Sequence, residues 1–437
     1  MAYKHGVYNT EQATSLTVPI QGSAGLQVIF GTAPIHLAKD PAAAVNTPKL
    51  VYSYKEAVEA VGYSDDFENF TLCQSISACF QVFNVAPIIL VNVLDPNKAA
   101  HVTQNQAESC DVVDGVVLYD KKYVLLNTLT VKNGSATLVA GSDYEAAHED
   151  DGSVAITLLS TAAKEASSLT VSSTSLKPSG VTAADIVGGV DASTGKETGL
   201  ELIRQIYPTL GMVPGLILAP GWSHTPTVAA ALWPMVAVGE KKYYFSAMFA
   251  ALTAYTDANN ADVPYESPSN KDLRITATVL KDGTTVALDQ QQANDVLNAN
   301  GVITAINANG FKSWGNNTAA YPSTTDPKDR WWAVRRFFDW DGNNFIQTYF
   351  QKVDKPGNKR LIQSIVDSQN IIGNGYVARD YCAGYRVEFR SDENPVTNLL
   401  AGHLTVHTYL APYIPAEYIE NIREYDVDAL ESAIGGE

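Results

Sequence analysis

The amino-acid sequence predicts a multidomain protein of the α/β (α+β) class, and three observations lead to this prediction. Apolar runs typical of buried strands alternate with helical periodicity over residues 21–110 and again over residues 191–330. Residues 111–190 instead show short β segments separated by turns, and residues 331–420 combine an amphipathic helix with two strands. We therefore expect an α/β core, an inserted all-β domain, a C-terminal α+β domain and extended terminal arms.

The N-terminal arm, residues 1–20, has the pattern of a strand without a nearby partner. Leu16, Val18 and Ile20 alternate with polar residues, so their side chains point to one face of a strand. Pro19 fits badly in a central strand, because it cannot donate to the ladder. The pattern leaves open which sheet this strand joins.

Residues 21–110 are expected to form the first part of the α/β core. The segment AGLQVIFGTAP is typical of a strand, and APIILVNVLDP at residues 86–96 is typical of a buried strand that is apolar on both faces. A helix is expected between them, over Tyr54–Val61. A strand, a helix and a buried strand in this order indicate an α/β arrangement.

Residues 111–190 are expected to form a peripheral all-β insertion. The element KNGS predicts a hairpin, because Asn133 and Gly134 suit a two-residue turn with positive φ at both positions. The acidic loop HEDDG is typical of a solvated surface, and loop tips of this kind tolerate insertions.

The α/β pattern resumes over residues 191–330. A helix is expected before a buried strand at residues 216–219, and a second helix is expected over residues 227–238. The segment LRITATVLKDGTTVALD then predicts a hairpin centred on Asp282 and Gly283.

Residues 331–420 are expected to form the C-terminal α+β domain. Pro356 is well placed to open a helix. The apolar stripe of that helix consists of Leu361, Ile362, Ile365 and Val366. YRVEFRSDENP and HLTVHTYLAPY have the alternation of strands, whereas the C-terminal arm, residues 421–437, is partly strand-like and again lacks an obvious local partner.

Charge and composition disfavour several classes of protein. The net charge is −17, with 47 acidic and 30 basic residues, whereas nucleic-acid binders usually carry a basic footprint. The four cysteines have no CxxC spacing and are typical of buried small apolar residues. The N-terminus lacks the apolar region of a signal peptide, and no run of about 18 apolar residues could span a bilayer. We expect no direct nucleic-acid binding and no membrane insertion.

Two segments deserve testing as chemical sites. GGVDASTGKETG resembles a phosphate loop, but Val190 replaces its first glycine and Glu197 replaces the hydroxyl residue, where a carboxylate would repel phosphate. Ser223 and His224 follow a buried strand, yet adjacent side chains point in different directions and no G-x-S-x-G elbow is present. No catalytic, cofactor or metal site is predicted, and an α/β hydrolase that uses Ser223 and His224 is a remote alternative.

Several segments between residues 5 and 425 resemble the contractile tail sheath family of bacteriophages and related particles. The family tends to open with Pro-Gly-Val-Tyr-x-x-Glu, and here HGVYNTE has His5 in place of the proline. DIVGGVDASTGKETGLELI followed by VPGLILAPGW is similar to the glycine-rich connection into the core strand of the family. GFKSWGNNTAAYP and RWWAVRRFFDW resemble its Trp-Gly-x-x-Thr and Val-Arg-Arg elements, with Asn317 where arginine is usual.

The resemblance implies a structural protein rather than an enzyme. Sheath subunits form a helical homo-oligomer around an inner tail tube protein, and their terminal arms add strands to the sheets of neighbouring subunits. It implies that the residues of the assembly arms are Val7, Tyr8, Leu16, Val18, Ile20, Tyr425 and Val427. Pairing of the N-terminal arm within its own subunit is the alternative.

The resemblance also implies a cellular context and a set of partners. The expected partners are the inner tube protein, the baseplate and the tail terminator proteins. The expected location is a virion or a phage-tail-like particle assembled in the bacterial host cytoplasm. The sheath of a headless bacteriocin or of another contractile injection system is the alternative within the same class.

The resemblance further implies that the C-terminal domain faces the inner tube. Within that domain, basic residues are concentrated in KVDKPGNKRLIQ although the chain as a whole is acidic. The expected tube contact consists of Lys352, Lys355, Lys359 and Arg360. The alternative is a solvated charged face on an amphipathic helix.

Overall fold

The computed structural model describes residues 22–190, 196–222, 235–238, 240–280, 283–286 and 288–435. A four-stranded sheet forms the centre of the core. Its strands lie in the order Leu216–Leu218, Gln27–Gly31, Ile88–Asn92, Lys49–Val51. The first three are parallel and the last is antiparallel. Every residue of the two central strands is buried, which confirms the buried strand predicted within residues 86–96.

Helices cover this sheet and confirm the α/β core. The principal ones are Tyr54–Val61, Thr71–Ile76, which continues as a π-helix over Ser77–Phe83, and Phe245–Asn259. The first begins and ends as the sequence predicts, because the Ser53 side chain accepts from the Glu56 amide and Gly62 follows with φ of 78°. Short 3-10 turns occupy Ile35–Leu37 and Ala99–His101.

The β-rich region is a single seven-stranded sheet with its own apolar core. The strands lie in the order Ala136–Thr137, Thr130–Asn133, Ser168–Leu176, Val102–Val113, Val116–Tyr119, Val154–Leu158, Tyr144–His148. The first strand along the chain starts at Val102, upstream of residue 111, because its pairing with Ser168–Leu176 extends from Asp111 back to Val102. Helical turns lie at Leu126–Thr128, Thr161–Lys164, Pro178–Gly180 and Ala183–Val187.

The KNGS hairpin forms, but its turn is displaced by one residue. Asn133 pairs with Ala136 in the ladder, so the loop consists of Gly134 and Ser135. Gly134 has φ of 61°, whereas Asn133 does not have a positive φ. The expected turn with positive φ at both Asn133 and Gly134 is therefore wrong, because asparagine is used as the last strand residue.

The second part of the core contains one helix prediction that is wrong. Met235–Val238 is the middle strand of a three-stranded sheet, between Lys241–Tyr244 and Ala277–Val279, and not the end of a helix. Met235, Val236 and Ala237 pair on one side with the strand that follows and on the other with the distant strand Ala277–Val279, which outweighs a local helical pattern. The rest of the helix expected over residues 227–238 lies outside the described residues.

The hairpin predicted at Gly283 is confirmed. The Leu280 amide donates to the Thr284 carbonyl and the Val286 amide to the Thr278 carbonyl, while Gly283 has φ of 92°; Asp282 lies outside the described residues. Smaller elements complete this part of the chain: Gly189–Val190, Glu197–Thr198, Gly199–Leu202, Ile203–Leu210, Gln290–Gln292, Ala293–Leu297, Asn298–Asn300, Thr304–Asn307 and Phe311–Trp314.

The C-terminal domain combines two long helices with an antiparallel strand pair. Its elements are Pro327–Arg330, Trp332–Tyr349, Phe350–Lys352, Lys359–Ala378, Cys382–Glu388, Val396–Leu400, His407–Pro412 and Val427–Ile434. The second long helix begins at Lys359 and not at Pro356, because the Asn358 side chain accepts from the Leu361 amide and caps it. Phe337, Trp340, Tyr376 and Tyr385 form much of the domain core.

The strand-like interpretation of the C-terminal arm is wrong from Val427 onward. Val427–Ile434 is a helix whose first turn is capped by the Asp426 side chain, which accepts from the Ala429 amide. Val427, Leu430 and Ile434 recur at helical spacing, and the short alternation around Tyr425 concealed this period. None of the helices in the described residues is long and apolar enough to cross a membrane.

Candidate assembly surfaces

The strand pair of the C-terminal domain has an edge suited to strand addition. Cys382–Glu388 and His407–Pro412 form a two-stranded sheet, and the described residues add no third strand to it. A two-stranded sheet is marginal by itself, and an unpaired edge is a template for another chain. This sheet is therefore a candidate acceptor for an arm.

The two edges of this sheet are not equivalent. On the Cys382–Glu388 side, Asn370 closes part of the edge: its Nδ2 donates to the Val387 carbonyl and its Oδ1 accepts from the Val387 amide, both at 2.9 Å. The backbone amide and carbonyl of Val387 thus point away from the neighbouring strand, so Val387 and Thr408 form a non-hydrogen-bonded pair of the antiparallel ladder. The amide and carbonyl of Thr408 must then also point outward, and so must those of Leu410, two residues further on. The edge of His407–Pro412 is the open one.

The chain that follows this strand exposes a series of large apolar side chains. Tyr418, Ile419 and Ile422 are 79%, 84% and 84% exposed. Tyr425 and Val427, both predicted arm residues, are exposed as well. Contiguous exposed apolar residues of this kind mark an interaction site. The predicted N-terminal arm residues Val7, Tyr8, Leu16, Val18 and Ile20 lie outside the described residues.

The predicted tube-contact residues lie together at the connection between the two long helices. Lys355, Lys359 and Arg360 are exposed and Lys352 is half-buried. No carboxylate of the described residues forms a salt bridge with any of them. Lys359 and Arg360 occupy the first turn of a helix without an acidic residue there, where the helix dipole disfavours cations.

Sequence reasoning missed an apolar stripe next to these basic residues. Ile346, Phe350 and Val353 are 62%, 68% and 63% exposed. Their spacing of four and three residues places them on one side of the helix end, a signal that was present in the sequence. Together with Lys352, Lys355, Lys359 and Arg360 they form a surface that is both basic and apolar, which we call the basic–apolar surface.

Of the two segments considered as chemical sites, the described residues bear only on the flanks of the glycine-rich one. Val190 pairs with Glu197 in a short antiparallel ladder, so the glycine-rich segment is flanked by strands and does not open a helix as a phosphate loop does. Ser223 and His224 lie outside the described residues. Within the ranges that are described, no three His, Cys, Asp or Glu side chains are grouped as metal ligands.

Comparison with known proteins places the chain beside sheath proteins. No protein-family model matches the sequence. The chain is 26% identical to the tail sheath protein of Burkholderia phage BcepMu over 464 aligned positions, which cover 94% of each chain. It is also 26% identical to the tail sheath protein of Escherichia phage P2, over 54% of this chain and 69% of the relative.

Solved structures show the same fold. The PVC sheath complex of an extracellular contractile injection system, in the contracted state, matches with a TM-score of 0.52 and 14% identity, over 98% of this chain and 99% of the other. The helical sheath of the anti-feeding prophage, also contracted, matches with a TM-score of 0.52 and 14% identity, over 98% and 100%. The chain thus has a fold found in sheaths of contractile injection systems.

Proposed function

Because the chain is homologous to phage tail sheath proteins and has the fold of contractile injection system sheaths, we propose that it is the structural subunit of a contractile tail sheath. It polymerises helically around an inner tail tube and contracts to drive the tube through a bacterial envelope. The observation that carries this proposal is the similarity to a sheath protein over 94% of both chains.

Strand addition joins the subunits. The open edge of His407–Pro412 offers backbone donors and acceptors to an arm of a neighbouring copy, for which Leu16, Val18 and Ile20 provide the alternating pattern. Backbone hydrogen bonds hold the strand, and the exchange lets the subunit bodies rotate while they stay tethered to one another. A lattice joined in this way contracts without coming apart.

Contraction is mechanical and uses no nucleotide. The extended lattice is metastable, and a trigger at the baseplate lets subunits repack and bury more surface between them. A few kcal/mol per subunit, at roughly 25 cal/mol per Å² of apolar surface, suffices when it is summed over a whole tube. The tail terminator closes the other end, and assembly takes place in the host cytoplasm of the phage or phage-tail-like particle.

The basic–apolar surface faces the inner tube. Unpaired cations in a chain of net charge −17 suit an acidic patch on the tube protein, and Phe350 with its neighbours supplies apolar contact. Each contact is weak, yet it is repeated in every subunit. Together they hold the sheath extended on the tube.

Negative-stain microscopy of the purified protein tests the function directly. The expected result is tubes or rings, whereas uniform small particles with esterase turnover would support the hydrolase alternative. Deleting residues 1–13 should give a soluble protein that melts cooperatively and no longer polymerises, since the arm is needed for the lattice and not for the core. Normal long tubes from this deletion would contradict the role of the arm.

A further inference from the structure

The N-terminal segment enters the described structure along one face of the helix Trp332–Tyr349. Asn344 Oδ1 accepts from the Gly22 amide at 2.8 Å, and Trp340 Nε1 donates to the Gly22 carbonyl at 2.8 Å. Arg336 Nη2 donates to the Ala24 carbonyl at 2.9 Å. The three side chains are four residues apart, so they form one row on the helix. The row binds backbone atoms of the arm root, Gly22–Ala24.

Arg336 connects this row to the core. Its guanidinium forms a bidentate pair with Asp257 of the helix Phe245–Asn259, with Nη1–Oδ1 at 3.1 Å and Nη2–Oδ2 at 2.5 Å. Arg336 is 7% exposed and Asp257 is 1% exposed. A bidentate pair of this kind fixes geometry as well as supplying energy. From a helix of the C-terminal domain, the guanidinium of Arg336 therefore contacts both the arm root, at Ala24, and the α/β core, at Asp257.

The row has binding capacity that the described residues do not use. Asn344 Nδ2 and Gln347 Nε2 are buried and have no acceptor among the described residues. Both side chains border Gly22, and a side chain built on Gly22 would lie 3.5 Å from each of them. Buried amide donors normally have partners. Both donors are therefore available to a further acceptor beside Gly22.

The chain just before the C-terminal arm contacts the residues that precede the helix Trp332–Tyr349. Arg330 Nη2 lies 3.4 Å from Glu417 Oε2. The guanidinium is held in place by Asn317, which accepts from Nε at 2.9 Å, and by the rings of Tyr321 and Trp331, at 4.6 Å and 4.1 Å from their centroids. Both arms thus reach the segment that contains RWWAVRRFFDW.

We propose that residues 330–347 are the anchor to which both assembly arms are tied, so that a pull by a neighbouring subunit on either arm is transmitted to the helix Trp332–Tyr349. This inference rests on the proposed sheath function and adds a mechanical role to it. The far end of the helix carries Ile346 and leads to Phe350 of the basic–apolar surface. Tension in the arms therefore acts directly on the element that ends at the proposed tube contact.

A pair of matched substitutions tests the anchor. Trp340→Phe removes the indole donor to Gly22, and Asn344→Leu removes the acceptor for its amide. Trp332→Phe is the control, because the Trp332 Nε1 has no hydrogen-bond partner among the described residues. Hydrogen exchange of a peptide that contains Gly22–Ala24 should become about fivefold faster for each lost bond, the factor that corresponds to about 1 kcal/mol. Trp332→Phe should leave it unchanged.

Dissociation of assembled tubes by urea provides the second measurement. The Asn344→Leu variant, alone or with Trp340→Phe, should dissociate at lower urea than wild type and Trp332→Phe. Because Trp340 also packs in the domain core, the melting temperature of each free subunit is measured in parallel, and the loss of tube resistance should exceed the loss of subunit stability. Unchanged hydrogen exchange at Gly22–Ala24 in the variants would contradict the proposed anchor. Faster exchange in variants whose tubes dissociate at the same urea concentration as wild-type tubes would also contradict it. If the wild type forms no tubes, the sheath function itself fails, and the exchange measurement still decides whether the row holds the arm root.

Discussion

Asp341 is the residue whose environment most affects the pH dependence of the C-terminal domain. The Tyr385 hydroxyl donates to its carboxylate, 3.1 Å from each oxygen, and accepts from Gln369 Nε2 at 2.6 Å. Burial raises the pKa of Asp341 from 3.8 to about 6, and the Tyr385 hydrogen bond opposes this only in part. Folding therefore favours the protonated carboxyl, and the stability that this proton supplies is complete below about pH 4 and lost as the pH rises through 6.

Replacing Asp341 by Asn should therefore stabilise the subunit at pH 7 and leave it nearly unchanged at pH 4. The difference between a pKa of about 6 and the usual 3.8 corresponds to on the order of 3 kcal/mol, an upper limit because the amide must also satisfy Tyr385. Urea unfolding between pH 4 and pH 7.5 measures the effect. Asp367→Asn, at an exposed position of the adjacent helix, is the control, and equal pH dependence in both variants would contradict the prediction.

At the scale of the element, the open edge of His407–Pro412 predicts that a proline at Thr408 blocks polymerisation without preventing folding. Thr408→Pro removes an outward-pointing amide that takes no part in the existing strand pair, so the subunit should fold. Strand addition needs that donor, and polymerisation should be strongly reduced. Thr408→Val keeps the amide and should assemble normally in the same pelleting and microscopy measurements. Tubes of normal length and yield from a folded Thr408→Pro protein would show that His407–Pro412 is not the edge that accepts the arm.

The elements also show what a sequence determines locally. The helix Tyr54–Val61 could be predicted, because its cap, its apolar spacing and the following glycine all lie within the segment. Met235–Val238 could not, because its strand conformation depends on partners that follow it in the chain, at Lys241–Tyr244 and Ala277–Val279. The same distinction applies to the assembly surfaces. Lys359 and Arg360 could be recognised as a basic cluster from the sequence around them, whereas the open edge at Thr408 depends on Asn370 closing the opposite one.

At the scale of the whole molecule, the β-rich sheet has a separate core and is expected to lie on the outside of the particle. Val117, Tyr119, Ile156 and Val171 are buried within that core. Its acidic loop includes Asp151, which is exposed. An affinity tag inserted after Asp151 should be accessible to antibody on intact tails and should not block contraction. A buried tag, or loss of assembly, would place this sheet inside the lattice.

The proposed contact of the basic–apolar surface with the inner tube can be tested by charge reversal. Replacing Lys359 and Arg360 by Glu reverses two charges in a helix first turn, where acidic residues are favoured, so the melting temperature of the subunit should be nearly unchanged. Binding to an acidic tube should nevertheless weaken, because the reversal turns attraction into repulsion in every subunit of the array. The control is Lys132→Glu with Lys177→Glu, an equal change of charge at exposed positions of the β-rich region.

These variants are to be compared after co-expression with the inner tube protein, by counting extended and contracted particles at physiological salt. The Lys359 and Arg360 variant should give few extended particles or prematurely contracted ones, and the control should match wild type. The wild-type contact should also weaken as salt is raised, since exposed charges are screened over about 8 Å at 0.15 M. Wild-type numbers of extended particles from the Lys359 and Arg360 variant would place the tube contact elsewhere, because a lattice that depends on this surface cannot tolerate its charge reversal in every copy.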